Sequence, residues 1–328
     1  MAMQAIRIQQ FGAPDVMHLE ELSVPAPQPG FAVVRITAAS VNFIDVQRRR
    51  GDLVGQPFYE EHGLNQLPST MGSQGVGVVE SVGEGVTNVH LGDRVTCIGN
   101  TYAMYALSPA QALFPIVEGV SFEQAAAGQG QGWLAYAFTH HAYPVQAGDW
   151  CMVQAAAGGL GLLIVQMAKL RGGRVIGVTS REDKGQALRE AGADEIIISA
   201  QSDIATEARR ITGGEGVRVV YDGVGKDTFV GNLDSLGRGG YLIIYGQSSG
   251  YIPPFDIMTL QEKGSLFITG TNSFPYVAHM PEYFAKFAAW VQQGKIRITF
   301  QTYPLADAVR VHAAFEARDF VGRAVLIP

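Results

Sequence analysis

Ala156, Gly158 and Gly161 stand at the spacing of G-x-G-x-x-G directly after the apolar run from Trp150 to Ala155. Leu160, Leu163, Ile164 and Met167 follow on one face at helical spacing. The pattern predicts a strand, a tight turn and a helix. Small residues at those positions let the backbone turn sharply, approach a pyrophosphate and pack the helix against the strand, with the helix's free N–H groups aimed at the phosphates. That is nucleotide-cofactor chemistry. Turns of this kind also serve as plain packing devices and in flavin or adenosyl-methionine sites, so the context has to discriminate.

The next predicted strand ends about twenty residues beyond the glycines, at Thr179-Ser180-Arg181. A carboxylate there would hold the ribose 2′-OH of NAD. A small hydroxyl and cations suit the 2′-phosphate of NADP, so Ser180, Arg181 and Lys184 favour NADPH. Glu182 argues the other way, and a solvated helix start of mixed charge is the bland alternative.

The elements that must position these groups alternate. Strands are expected at 174–179, 195–199, 217–221 and 241–246, helices at 183–192, 204–212 and 227–236, which describes a doubly wound parallel sheet. A further strand at 265–270 and an amphipathic helix at 281–293 follow. Residues 1 to about 120 read instead as β-rich, with β-prone runs at 5–9, 31–36, 75–82 and 93–98 separated by Pro- and Gly-rich turns. Residues 56–71 read as loop. Ser121 suits a helix cap, and the apolar stretch 125–140 is interrupted by Gly128-Gln129-Gly130-Gln131-Gly132-Trp133. Each glycine in a helix costs roughly 1 kcal/mol relative to alanine, so close contacts are expected to require them. The run 321–327 is strand-like and leads back into the β-rich unit.

The 328-residue length suggests two domains, and 47% hydrophobic with 16% charged residues describes a globular chain. The net charge of -6 is dispersed, with Arg48-Arg49-Arg50 the one short basic run, so no nucleic-acid surface is expected. No membrane span or secretory signal is indicated, which makes the cytoplasm the expected location. Cys97 and Cys151 are far apart and outside any C-x-x-C, so buried free thiols are expected in place of a metal or disulfide framework.

The sequence from Gly148 to Lys169 closely resembles the fingerprint of zeta-crystallin-like quinone oxidoreductases, the zinc-independent branch of the medium-chain dehydrogenase/reductase superfamily. The likeness extends through Asn42-Phe43-Ile44-Asp45, Gly77 to Gly83, Gly92-Asp93-Arg94-Val95, Phe122 to Ala126, Tyr221 to Gly225, Gly246 to Gly250 and Leu326-Ile327-Pro328. It implies an α/β protein with a GroES-like β-rich catalytic domain (1–126 and 273–328), a Rossmann doubly wound parallel-sheet domain (127–272), NADPH in the cleft and a homodimer. The zinc alcohol dehydrogenases of the superfamily carry Cys at the position of Asn42 and His at that of Ser73, so no metal is expected here. Without a Lewis acid, an acceptor that spreads incoming charge through conjugation is favoured, namely a quinone or conjugated carbonyl.

Carried over by resemblance, Gly158, Gly159 and Leu160 hold the pyrophosphate, with Ser180 and Lys184 at the 2′-phosphate. Gly223, Tyr245, Gly246, Gln247, Ser248, Thr269 and Arg318 line the cofactor, and Asn42, Asp45 and Gln47 serve the reaction; Gln131 and Trp133, in a stretch that differs from the family's helix, are expected at the substrate without being carried over. Asn42 also suits a turn cap, Asp45 a helix first-turn acid and Tyr245 strand core. Departures from the family pattern fall at Gln47, Leu53, Gln74, Gln131, Leu134 and Ser199, so the substrate does not transfer with the cofactor. An alkenal or enoyl double-bond reductase on the same fold and a non-catalytic NADPH-binding protein are the rival expectations.

Overall fold

The computed structural model describes residues 2–61, 65–271 and 274–328. The chain separates into two compact units, Met1–Gly130 with Phe300–Pro328, and Gln131–Thr299. Strands β1 (Ala2–Ile8), β2 (Met17–Ser23), β3 (Phe31–Ser40), β4 (Ser69–Thr70), β5 (Gln74–Val82), β6 (Arg94–Ile98), β7 (Tyr105–Pro109) and β8 (Phe114–Pro115) belong to the first. The second holds β9 (Trp150–Val153), β10 (Arg174–Thr179), β11 (Glu195–Ile198), β12 (Val217–Asp222), β13 (Leu236–Ile244) and β14 (Phe267–Gly270). The chain then returns to the first unit with β15 (Phe300–Pro304) and β16 (Arg323–Ile327).

In the first unit one sheet runs β15-β16-β3-β5-β6-β8, with β7 also on β3, and a smaller sheet runs β2-β1-β4. β16 pairs antiparallel with β3, Val325 opposite Ser40 and Leu326 opposite Ala39. Alternation along the strands sends Val34, Ile36, Val79, Val95 and Leu326 into one core with Ile6, Ile8 and Tyr102. The β-rich reading of the first 120 residues matches this sheet, and the strand expected at the end of the chain is β16. Within the stretch expected as loop, Pro57–Glu61 is a short helix and β4 a short strand, while residues 62–64 lie outside the described ones.

The second unit has an all-parallel sheet of order β11-β10-β9-β12-β13-β14. Strand order reverses between β9 and β12, and the crevice outside the strand ends at such a switch point is where dinucleotides bind. Buried on both faces, the strands are apolar almost throughout, as Val175, Ile176 and Val178 or Val219, Val220 and Tyr221 show. The doubly wound reading matches.

Four helices carry residues of interest: α1 (Phe43–Arg50), α2 (Gly130–Ala137), α3 (Gly159–Leu170) and α4 (Met280–Gln292). The π-helical turns Ala125–Gln129 and Phe138–Ala142 flank α2. The expected first boundary at 126/127 lies near the observed Gly130/Gln131, and the expected second, 272/273, falls on residues outside the described ones. The resemblance assigns α4 to the β-rich domain, whereas it packs in the second unit, burying Tyr283, Phe284, Phe287 and Ala288 there. Both cysteines are free and buried, and burial pushes the Cys97 thiol up to about 12.

Candidate active site

The turn after β9 sits at the switch point. Ala155 takes a left-handed φ of 48°, Ala156 is buried with its N–H on Val178 O at 2.9 Å, and Gly158 caps α3. A Cβ on Gly161 would lie 2.7 Å from Ala155 O and from the Ala156 Cα and O, so only glycine lets the helix approach the strand. A Cβ on Gly158 would meet only Ala155 O, at 3.3 Å, so packing on that side explains less of this glycine. Gly158, Gly159 and Leu160 are half-buried at the N-terminus of a 12-residue helix, a cradle of N–H groups that fits a pyrophosphate.

Ser180, Arg181 and Lys184 come together where β10 runs into the 3-10 turn Glu182–Lys184. Arg181 is exposed and holds the Asp183 carboxylate with two nitrogens, at 3.1 and 2.7 Å, while Glu182 points to solvent. Lys184 is 7% exposed, unusual for a lysine. The cation set suits a phosphate, with Arg181 shared with Asp183.

Gly223, Tyr245, Gly246, Gln247 and Ser248 are brought together beyond the ends of β12 and β13. The Tyr245 ring occupies the space of a Gly223 Cβ, at 2.6 Å, and stacks on Phe138 at 5.3 Å. A Cβ on Gly246 would lie 2.8 Å from Gly223 O, and Ser248 N–H donates to Gly223 O at 3.2 Å. Buried Asp222 ties this loop, accepting from Val224 N, Gly225 N and Thr228 Oγ1 at 2.8, 3.2 and 3.0 Å. Thr269 is exposed on β14, opposite Ile243 of β13. Arg318 belongs to the other unit, exposed and left-handed at φ 59°.

In the β-rich unit, Asn42 caps α1. Its Nδ2 donates to Ser73 Oγ at 3.1 Å and Ser40 Oγ at 3.2 Å, and its Oδ1 accepts from Arg323 Nη1 at 2.9 Å. Asp45 is fully buried, accepting from Asn42 N at 2.9 Å and Tyr102 Oη at 3.3 Å, with Tyr102 Oη 3.1 Å from His312 Nε2. Burial pushes the Asp45 carboxyl above its ordinary value, against the opposing pull of Asn42 N–H, Ser73 and Arg48. Burial, then the Arg49 charge, pushes His312 down to about 3. Asp45 thus has no surface to offer a substrate and bonds the Asn42 backbone N–H, which revises its expected place among groups that touch reactants. Gln47 is half-buried on α1. Sequence reasoning missed Ser40, Tyr102, His312 and Arg323, and treated Ser73 only as a lost metal ligand.

Of the glycines in the interruption, Gly132 faces a packed ring and Gly130 the end of a flexible side chain. A Cβ on Gly130 would sit 1.6 Å from Gln74 Nε2, and one on Gly132 2.4 Å from the Phe287 ring. Trp133 is buried edge-on to Phe284, 6.4 Å between centroids, so its ring is a packing group and not the substrate surface expected of it. Gln131 is half-buried, and its Oε1 is buried without a hydrogen-bond partner.

The chain matches the family model described as "Alcohol dehydrogenase GroES-like domain" over residues 28–147 and "Zinc-binding dehydrogenase" over 159–291. It is 33% identical to Quinone oxidoreductase 1 of Escherichia coli (strain K12), covering 98% of this chain and 99% of that protein. The chain belongs to the quinone oxidoreductase family of the medium-chain dehydrogenase/reductases. A crystal structure of Escherichia coli quinone oxidoreductase complexed with NADPH superposes with a TM-score of 0.91 at 32% identity, covering 99% of this chain and 100% of that one. A 2-haloacrylate reductase of Burkholderia sp is 34% identical, covering 100% of this chain and 99% of that relative. As a quinone oxidoreductase family member the chain is an oxidoreductase. Among the described residues no group of three or more His, Cys, Asp or Glu is placed to hold a metal ion, and no helix is long and apolar enough to cross a membrane.

Proposed function

We propose that the chain is an NADPH-dependent reductase of quinones or related conjugated carbonyls. The observation that carries this reading is the pair Asn42 and Ser73. By the resemblance these positions correspond to a Cys and a His of the zinc alcohol dehydrogenases, and here an amide and a hydroxyl hydrogen-bond each other at 3.1 Å. Neutral groups engaged with one another are poor ligands for zinc, which prefers thiolate, imidazole and carboxylate. An acceptor served by such groups must stabilise its own incoming charge, as a conjugated one does.

NADPH, when bound, supplies a hydride. The α3 N-terminus with Gly158, Gly159, Leu160 and Gly161 would hold its pyrophosphate, and Ser180, Arg181 and Lys184 its 2′-phosphate. Gly223, Tyr245, Gly246, Gln247, Ser248, Thr269 and Arg318 are the remaining proposed cofactor residues. Asn42 and Gln47 orient the acceptor through hydrogen bonds that strengthen as charge develops on its oxygen, with Gln131 as a further polar contact. Asp45, itself bonded by Tyr102 beside His312, anchors the backbone N–H of Asn42. A second copy of the chain as partner rests on the resemblance alone.

The full-length likeness to a 2-haloacrylate reductase favours one second reading, reduction of a carbon–carbon double bond conjugated to a carboxyl or carbonyl group. Oxidation of NADPH followed by absorbance against ortho- and para-quinones, alkenals and 2-haloacrylates, with NADH and EDTA controls, separates the two. Turnover of quinones that is faster with NADPH and unaffected by EDTA is expected. Turnover confined to the alkenes would transfer the assignment, and tight NADPH binding with no turnover of any acceptor would refute both.

A further inference from the structure

Arg323 opens β16 and is 281 residues from Asn42, yet its Nη1 donates both to Val41 O at 2.8 Å and to Asn42 Oδ1 at 2.9 Å. On the other side of the amide, Nδ2 reaches Ser73 and Ser40. A side-chain amide has one acceptor oxygen and two donor hydrogens, so every polar atom of the Asn42 side chain is engaged. Its orientation is also fixed, because a flipped amide would set its NH2 against a guanidinium.

A β-strand by itself does not call for a buried arginine at this position. Arg323 is 4% exposed and its Nε is buried without a hydrogen-bond partner, an arrangement less stable than an apolar residue of similar volume would give. Burial pushes its guanidinium down to about 10, with Asp45 and Tyr102 opposing, so it remains the charged donor at neutral pH. The groups that receive this donor are the Val41 carbonyl and the Asn42 side chain, and Asn42 is the one with a side chain to orient.

We infer that Arg323 is a positioning residue that sets the amide of Asn42 and, through it, the hydroxyls of Ser40 and Ser73. The inference rests on the proposed reading of Asn42 as an active-site residue. It also implies that Asn42 turns toward a bound acceptor only by releasing one of the serines.

The test uses the full chain with R323M, R323K, N42A and the N42A/R323M double variant. One readout does not depend on activity: hydrogen exchange of the Asn42 side-chain amide, followed by NMR in protein labelled at asparagine and assigned by its loss in N42A. The other is kcat with a quinone at saturating NADPH. In R323M the amide is expected to exchange at least about tenfold faster and kcat to fall about tenfold, with R323K intermediate. In the N42A background R323M is expected to lower kcat no further, because Arg323 acts through that side chain.

Unchanged amide exchange in R323M, or kcat losses that multiply in the double variant, would overturn the inference. If R323M does not fold, R323K decides, and amide exchange equal to that of the unsubstituted protein refutes it. A chain that turns over no quinone or conjugated alkene would refute the functional reading, while the exchange measurement would still decide the positioning.

Discussion

Alanine at Gly132 is expected to destabilise the protein, whereas alanine at Gly130, two residues earlier in the same helix, is not. At Gly132 the new methyl would lie 2.4, 2.5 and 2.5 Å from three carbons of the Phe287 ring. Carbon atoms pack at about 3.5–4.0 Å, so the overlap is about 1 Å. Phe287 is 3% exposed and has no free space to enter. Overpacking of this kind costs about 1–3 kcal/mol, and the gain of roughly 1 kcal/mol for alanine over glycine in a helix offsets part of it. The net loss is up to about 2 kcal/mol. At Gly130 the methyl meets Gln74 Nε2 at 1.6 Å, but that atom ends a flexible side chain that can swing away. G130A is therefore expected to be neutral or stabilised by up to about 1 kcal/mol. Urea unfolding of the two variants and the unsubstituted chain checks the ordering, and adding F287A to G132A should cost less than the sum of the single changes. A G132A midpoint equal to or above that of G130A would refute the steric account.

Other consequences follow from the site. K184Q should weaken NADPH by about 10–100-fold, the equivalent of about 1.5–3 kcal/mol for a charge-assisted hydrogen bond, and leave NADH within about twofold. Titration calorimetry with both cofactors measures this, and equal losses for the two would remove Lys184 from the 2′-phosphate site. G161A places a methyl 2.7 Å from fixed backbone atoms, so both NADPH affinity and stability should fall; unaltered cofactor affinity would contradict the close helix-strand approach. His312 is held to about 3, below its ordinary 6.5, so it contributes stability that is full above pH 6.5 and is lost as pH falls toward 3. The slope is on the order of 1.4 kcal/mol per pH unit. H312Q keeps a donor for Tyr102 without titrating, and denaturation between pH 7 and 4 should show a shallower decline; an unchanged slope would mean that His312 is not what titrates.

The sequence made the parallel sheet legible because each of its strands is a short apolar run set off by turn residues, and the turn at 156–161 is a local pattern. β2 escaped notice because only Met17 of its seven residues is buried, leaving no alternation to read. α1 is not among the expected helices: its three arginines read only as a short basic run, and the cap and first-turn acid only as alternatives for Asn42 and Asp45. Arg49 is in fact fully buried, pairing with Glu316 at 2.6 Å. Asn42, Asp45 and Gly51 do carry a helix start and stop, but two of the three were read as site residues. The network of Arg323, Tyr102 and His312 with Asn42 and Asp45 leaves no spacing signal, since its members come from distant parts of the chain. The glycines at 130 and 132 were legible as a demand for close contact, while the groups making it, Gln74 and Phe287, were not.

The pairing of β3 with β16 also sets an order for biosynthesis. β16 lies between β3 and β15, and the whole unit Gln131–Thr299 is translated before it. β7, made earlier, already pairs with β3 over Phe31–Arg35, so only the end of that side at Ala39 and Ser40 stays unpaired in a nascent chain while the cofactor unit emerges from the ribosome. Edges of this kind recruit other strands. β16 covers that end and, in the same step, brings Arg323 to Asn42.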